Sequence, residues 1–379
     1  MQKLYWRPTH VSRVVHVLVA AIACGALLGA ERFQRTRVEP DFEERVTAAQ
    51  RMERGMEILR SYRTRHVAEV DAEIDPTRSG MIGFASSSIT TNAGSLEAKR
   101  TTANPNWAAV LVDLLRTAGV ERGDLVAVGI SGSFPALNLA TLIAVDVMGL
   151  EAVTIASAGA SSFGANIPGF TWLDMEEILL DAEIIRTRSV AASLGGTRDR
   201  ALGMTKSGRR KLREAIERNG VRYIDVVDEA SSIEKRMEIY DAEADGRHFA
   251  AYINAGGALV SIGPKSVKRL YRPGVNWRPH PRSALVDSVT MRFLGEGTPV
   301  VNLSKVVPLA EQFALPIEPT AMPPVGEGQV FERRAHDPRL VAGLLVALVV
   351  VTTALLRLDI GAQIGLLGSG RRRKLERMV

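Results

Sequence analysis

The stretch LVAVGISGSFPALNLATLIAVDVMGLEAVTIAS, residues 125–157, leaves this chain few folds to choose from. Residues 125–130 form a short, nearly continuous apolar run, the pattern of a strand buried on both faces. Ser131, Gly132 and Ser133 follow as a tight turn. There Ser133 is placed to cap a helix, and Pro135 sits in a first turn, where its missing N–H costs nothing. A helix and a second apolar strand complete the unit, and two strands joined through a helix run parallel. The rest of the middle of the chain alternates in the same way. Short strands are expected at 81–84, 221–227, 249–253 and 299–303. Helices are expected at 107–118, 176–184, 207–219, 231–242, 288–295 and 305–313. Residues 191–206 read as a Gly/Thr-rich exposed connection. The pattern predicts an α/β fold, a mostly parallel Rossmann-like sheet with helices on both faces.

The two ends of the chain differ from its middle. Residues 14–30 are apolar apart from His16, and 340–356 are apolar and uncharged. Both lengths fall within the roughly 17–25 residues of a transmembrane helix. Lys3, Arg7 and Arg13 precede the first span; Arg357 and then Arg371, Arg372, Arg373 and Lys374 follow the second. The positive-inside rule puts both termini in the cytoplasm and the main domain outside the inner membrane. The expected organisation is a cytoplasmic N-terminus at 1–13, a span at 14–30, and an amphipathic helical stalk at 31–74. An extracytoplasmic domain at 75–314, a Pro-rich linker at 315–338, a span at 339–357 and a basic cytoplasmic tail at 358–379 follow. The helix near 41–72 reads equally as the first helix packed on the domain. Cys24, the single cysteine, rules out an intrachain disulfide. It reads as a thiol within a signal anchor, or as the acceptor of a loose lipoprotein-type cleavage box at 21–24. Six histidines without paired spacing give no dedicated metal site, and there is no Walker-type or dinucleotide-binding glycine motif. No cofactor is expected.

Four polar segments carry the chemistry. Around Ser131, Gly132, Ser133 and Asn138 three readings stand: a nucleophile elbow, an anion cradle at a strand end, or a plain helix cap. The elbow lacks its last glycine, because Ser133 occupies that place. In SLEAKRTT, Ser95, Glu97, Lys99 and Arg100 form either a zwitterion site or a solvated charge cluster. After the second strand, Ser161, Ser162, Asn166, Trp172 and Asp174 line the same crevice as Ser131 if ligands lie beyond the carboxyl ends of the strands. Otherwise Trp172 is core and Asp174 a helix cap. Finally, 264–282 is a basic loop with Lys265, Lys268, Arg269, Arg272 and Arg278, interleaved with Tyr271 and Trp277 and free of acids. Such a loop suits a flexible polyanion; the plainer readings are a solubilising loop or contact with acidic lipid heads. The net charge of +6 agrees with either partner.

Two family resemblances attach to these residues. The strand–SGS–helix unit resembles a sugar-isomerase domain, which implies a phosphosugar ligand, over about thirty residues. A wider resemblance rests on ITT at 89–91, GSLEAKRT at 94–101, Asn104-Pro105, GISGSFPALN at 129–138 and SSFGANIPGFTWLDME at 161–176. These segments, with the two terminal spans, resemble the poly-gamma-glutamate system protein family. That resemblance implies a membrane-anchored accessory of bacterial capsule synthesis or export. Its partners would be poly-gamma-glutamate or another carboxylate polymer, the membrane and other capsule synthesis subunits; nucleic acid fits the basic charge but is not expected for a domain outside the membrane. It brings no catalytic assignment. The rival expectation is a hydrolase or amide transferase on that polymer, with Ser131 or Ser133 as nucleophile and Glu97 or Asp174 as acid/base partner.

Overall fold

The protein is described here by a computed structural model, covering residues 13–39, 41–283 and 285–357. The expected N-terminal segment up to residue 12 and the tail 358–379 lie outside the described residues. The chain divides into two compact units, one of its two ends (up to Val38 and from Arg333) and one of residues Glu39–Glu332.

The unit of the ends holds α1 (Arg13–Arg32), β1 (Arg35–Val38), β9 (Glu332–Ala335) and α13 (Pro338–Arg357). The two strands pair, and α1 packs on α13. Each helix has 20 residues, about 30 Å at 1.5 Å per residue, the thickness of a bilayer's hydrocarbon core. Val17, Leu27, Leu28, Leu345, Val346 and Val349 point outward. Both helices are long and apolar enough to cross a membrane.

The unit of residues Glu39–Glu332 is the α/β domain. Its elements are α2 (Phe42–His66), α3 (Leu96–Thr102), α4 (Trp107–Thr117), β2 (Leu125–Ser131), α5 (Pro135–Met148), β3 (Glu151–Ser157) and α6 (Trp172–Asp181). They continue with β4 (Ser189–Ser193), α7 (Lys206–Arg218), β5 (Arg222–Tyr223), α8 (Glu229–Ala244), β6 (Ala251–Ala255), α9 (Leu259–Ile262) and α10 (Lys265–Lys268). The last are β7 (Gly274–Asn276), α11 (Val289–Gly295), β8 (Val300–Asn302) and α12 (Val306–Gln312). Seven strands form one sheet in the order β5-β4-β3-β2-β6-β8-β7. All neighbours are parallel except the β7–β8 pair. The chain winds from β2 through β3 and β4 to one edge, then returns to the far side of β2 as β6. The point where the direction reverses, between β2 and β6, is where open α/β sheets leave a crevice at the carboxyl ends of their strands.

The pleat decides which helices each strand meets. Val126, Val128 and Ile130 join the cluster beneath α2, α4 and α5, whereas Leu125 and Ala127 join the one beneath α8, α9 and α11. Gly129 falls on the second face because the Tyr252 hydroxyl lies 2.3 Å from where a Cβ would stand. Helices therefore cover both faces of a mostly parallel sheet.

Several boundaries differ from expectation. The helix expected as a stalk is α2, and it is integral to the domain. It buries Ala48, Ala49, Met52, Met56 and Leu59, and Gly55 lets it close to 3.0 Å between Ile184 and a Cβ at that position. Buried Arg45 fixes it to Asp41 (2.9 Å), Asp113 (2.8 Å) and the Val330 carbonyl (2.6 Å). The Pro-rich linker also packs: Leu315, Val330 and Phe331 are core. Residues 81–84 form no strand; they hydrogen-bond to 163–166 instead. The connection read as exposed from 191 begins inside β4, which its alanines concealed. The basic loop 264–282 is partly ordered, holding α10 and the antiparallel edge strand β7.

Candidate functional site

Three adjacent strands, β2, β3 and β4, each end in serine. Register sets these serines side by side, Ser131 opposite Ser157 and Ser157 opposite Ser193. All three belong to the face covered by α8, since each lies an even number of residues from Ala127, Ile155 or Ala191 of that core. Their fates differ. Ser157 and Ser193 are held by buried Arg236 of α8 at 3.2 and 2.8 Å. Arg236 also pairs with buried Asp199 at 3.1 Å, and Asp199 takes a further hydrogen bond from Ser232. That end of the row is closed by its own charges.

Ser131 stands at the open end, on the β2–β6 switch point. Its hydroxyl is buried with no hydrogen-bond partner among the described residues. It lies 2.9 Å from where a Cβ on Gly256 would stand, so the glycine after β6 is what leaves it room. Two more buried atoms at neighbouring strand ends, Asn254 Oδ1 and Ser304 Oγ, have no hydrogen-bond partner among the described residues. The Asn254 amide N–H₂ is spent on the Gly256 carbonyl (2.9 Å), which leaves its oxygen as the free acceptor.

Two lysines converge on this rim. Lys99 reaches in from α3, donating to the Ser133 carbonyl and to Ser161 Oγ (3.2 Å), with its Nζ 3.4 Å above the Phe134 ring. Lys268 comes from α10, and its Nζ lies 2.5 Å from where a Cβ on Gly257 would stand. Neither amine meets a carboxylate among the described residues. Burial, and then the charge of Lys268, push the Lys99 ammonium down to about 7. Burial also lowers Lys268, followed by the charges of Lys305 and Lys265. The two amines thus repel within a partly dehydrated place, and an anion brought between them relieves both.

The polar stretch 86–106, which includes α3, builds one wall. Thr91 N–H donates to the Ala160 carbonyl (2.8 Å), and Ser162 N–H to the Asn92 carbonyl (2.9 Å). Gly94 sits where a Cβ would come 2.8 Å from Ser161 Oγ. Ser161 N–H in turn donates to Ser133 Oγ at 3.1 Å. Ser133 therefore does not cap α5; the N-cap position belongs to Phe134, without a side-chain cap bond. Asn138 donates to the Ser131 carbonyl (2.8 Å) and holds the Ser131–Gly132 turn from below.

The other expected site residues are dispersed or committed. Ser95 caps α3 through Ala98 N–H (3.1 Å). Glu97 is exposed in the first turn of that helix. Arg100 turns away to the carbonyls of Ile74 (3.0 Å) and Glu73 (2.6 Å) and to Glu318 (3.1 Å). Glu97, Lys99 and Arg100 thus do not converge into a zwitterion site. Asn166 clamps the 84–90 loop through Phe84 and Thr90. Trp172 is fully buried core. Asp174 is the capping box of α6 with Thr171, and both its oxygens are taken by Arg218 and Asn219. In the basic segment, Lys265, Arg269, Arg272 and Arg278 are exposed, while Tyr271 is buried core rather than an interleaved aromatic.

Asn254, Gly256, Gly257, Ser304 and Lys305 were not expected at the site. The glycine pair at 256–257, just after the strand expected at 249–253, is the one sequence signal near them. No protein-family model, curated protein or solved structure matches this chain, so the chemistry rests on these residues alone.

Proposed function

We propose that this chain is a membrane-anchored accessory protein of bacterial poly-gamma-glutamate (capsule) synthesis or export, and that it binds the polymer at the β2–β6 rim. The observation that carries the reading is the approach of Lys99 and Lys268 to one strand-end site with no carboxylate beside either among the described residues. Each repeat of the polymer offers one carboxylate for those amines. It also offers one amide N–H for an unpartnered acceptor such as Asn254 Oδ1. The resemblance to the poly-gamma-glutamate system family lends support of its own kind. Its segments 89–105, 129–138 and 161–176 are the ones that bring Lys99, Ser133 and Ser161 together. The two apolar helices agree with an anchor in the inner membrane, with both termini cytoplasmic and the domain outside.

The test is binding of labelled oligo-gamma-glutamate to the full chain in detergent. Binding should weaken with salt, because screening reduces exposed charge contacts. Lys99→Met and Lys268→Met should each weaken it by about tenfold, the effect of losing a charge-assisted bond worth roughly 1.5 kcal/mol. Neutralising exposed Arg269, Arg272 and Arg278 should matter less. Affinity indifferent to both lysines, or a hexose phosphate that competes better than the oligomer, sinks the reading.

One contact favours an enzymatic variant. Lys99 Nζ lies 3.2 Å from Ser161 Oγ, the nucleophile–base relation of a Ser–Lys pair. Neither Glu97 nor Asp174 is placed to serve Ser131 or Ser133 in that role. Incubating the polymer with wild type, Ser161→Ala, Ser131→Ala and Ser133→Ala separates the two ideas. Unchanged chain length with wild type leaves binding alone.

A further inference from the structure

Along the same carboxyl edge, at the other end of the sheet, the function proposed above leaves a feature unused. A groove of about 450 Å³ opens between α7 and β5. Arg200, Arg209, Arg210 and Arg213 line it, with Tyr223 and a single acid, Asp225. Three of the arginines come from α7, whose sequence KSGRRKLRE places Arg209 and Arg213 one turn apart on one face. Arg200 comes from the connection after β4. This connection turns through positive φ at Arg198, Asp199 and Ala201 (54°, 58° and 50°). It is held down by the buried Asp199–Arg236 pair.

The guanidinium groups are only lightly committed. Arg209 has no side-chain partner among the described residues. Arg210 meets Glu214 at 3.3 Å in a pair more than half exposed on both sides. Arg213 stacks over Tyr223 at 4.4 Å and stands 3.8 Å from Asp225. Arg200 gives one N–H to the Val227 carbonyl at 3.1 Å. Exposed pairs of this kind contribute about 0–1 kcal/mol, so an incoming carboxylate displaces them readily.

We propose that this groove is a second subsite for the carboxylate polymer, which passes over the loops that bury the ends of β3 and β4 to join the Lys99–Lys268 rim to α7; this rests on the reading of that rim as a polymer site. Planar arginine forks match carboxylates in bidentate fashion. Leu194 and Leu202, which also line the groove, give a surface for the two methylenes of each repeat. Single-stranded nucleic acid is commonly held by stacking its bases on aromatic faces. Among the described residues lining the groove the one aromatic, Tyr223, is already covered by Arg213. β4 and β5 lie two and three strands from β2 in the sheet order, so about 10–14 Å separate the subsites at 4.8 Å per strand. A few repeats span that gap, and joining two weak subsites through one ligand raises affinity by roughly 10²–10⁴ without any new contact.

The experiment compares a short oligo-gamma-glutamate with a long chain on the full protein in detergent. Wild type should bind the long chain at least tenfold tighter per molecule. Arg209→Gln, Arg210→Gln and Arg213→Gln together should abolish that advantage, leaving short-oligomer affinity within about twofold. Asp225→Asn should move the other way, tightening the long chain by up to about fivefold, the worth of one exposed charge. The gain arm stays informative if the triple variant folds poorly. A long-chain advantage that survives in the triple variant, or is missing in wild type, overturns the second subsite and leaves the rim reading intact. Failure of the short oligomer to bind wild type overturns the rim reading itself, and this one with it. An oligodeoxynucleotide of equal charge that displaces the long chain equally well overturns the carboxylate assignment.

Discussion

At the scale of single residues, the proposed anion site turns on Lys99, whose buried charge meets no carboxylate among the described residues. Burial and the charge of Lys268 bring its ammonium to about 7. In the unfolded chain the same group titrates near 10.5. Between those values the unfolded state holds the extra proton, so this residue's contribution to stability rises as pH rises from about 7 to 10.5. Ligand binding runs the other way. A bound carboxylate favours the ammonium, so binding takes up a proton above pH 7. Affinity should therefore be flat below pH 7 and fall, by at most tenfold per unit, as pH rises beyond it. Titrations of oligo-gamma-glutamate at pH 6, 7, 8 and 9 check this, and Lys99→Met should flatten the profile. A wild-type profile level from 6 to 9 refutes the assignment. That Lys99 matters was half legible in the sequence. SLEAKRTT marked it, but only the fold shows that Lys99 turns inward while Glu97 stays in solvent and Arg100 ties down residues 73 and 74. Neighbours in sequence on a short helix point in different directions, and no spacing rule says which one faces a strand end.

At the scale of elements, apolar pattern was a good guide wherever it was strong and a poor one where small residues carried the burial. β2, β3, α4, α5, α7, α8, α11 and α12 lie close to their expected places. β4 was missed because Ser189–Ser193, SVAAS, has only alanines and one valine to bury, yet it sits inside the sheet. Its position is secured by a contact invisible to periodicity: Glu176 of α6 accepts from Ser189 N–H (3.1 Å) and Ser189 Oγ (2.8 Å). Burial pushes this carboxyl up to about 7, against the opposing pull of the Ser189 bonds. Between its unfolded value of 4.5 and about 7 the folded state holds the extra proton, so stability falls as pH rises through that window. The penalty is complete above it. Glu176→Gln keeps an acceptor for Ser189 N–H and removes the charge. The variant should unfold later than wild type at pH 8, by roughly 1–3 kcal/mol, with the gain shrinking towards pH 4.5. Denaturation at both pH values decides it; a variant less stable at pH 8 would show that the carboxylate is needed charged.

At the scale of the whole molecule, the doubly wound sheet explains why the site is assembled from distant stretches. The ends of β2, β6 and β8 are neighbours only because the chain reverses direction at β2, which brings residues 131, 254–257 and 304 together. Sequence reading fixed attention on residue 131, where a strand, a Gly/Ser turn and a helix stand in line, but had no means of pairing it with Lys268. The two end helices impose a different constraint. If both helices span a membrane, the termini lie on one side whichever way they run. Near the first span the cations balance: Lys3, Arg7 and Arg13 on one side, Arg32, Arg35 and Arg37 on the other. Near the second they do not, because Arg333, Arg334 and Arg339 face Arg357, Arg371, Arg372, Arg373, Lys374 and Arg377. On the positive-inside rule, the tail's excess is the basis of the proposal that both termini are cytoplasmic. Protease added to intact spheroplasts should then cut within residues 39–332 while epitope tags at both termini stay protected until the membrane is opened. Tags lost from intact spheroplasts, with the domain spared, would reverse the orientation. That result would leave the lysine rim in the cytoplasm, where phosphosugars compete with carboxylate polymers for the same amines.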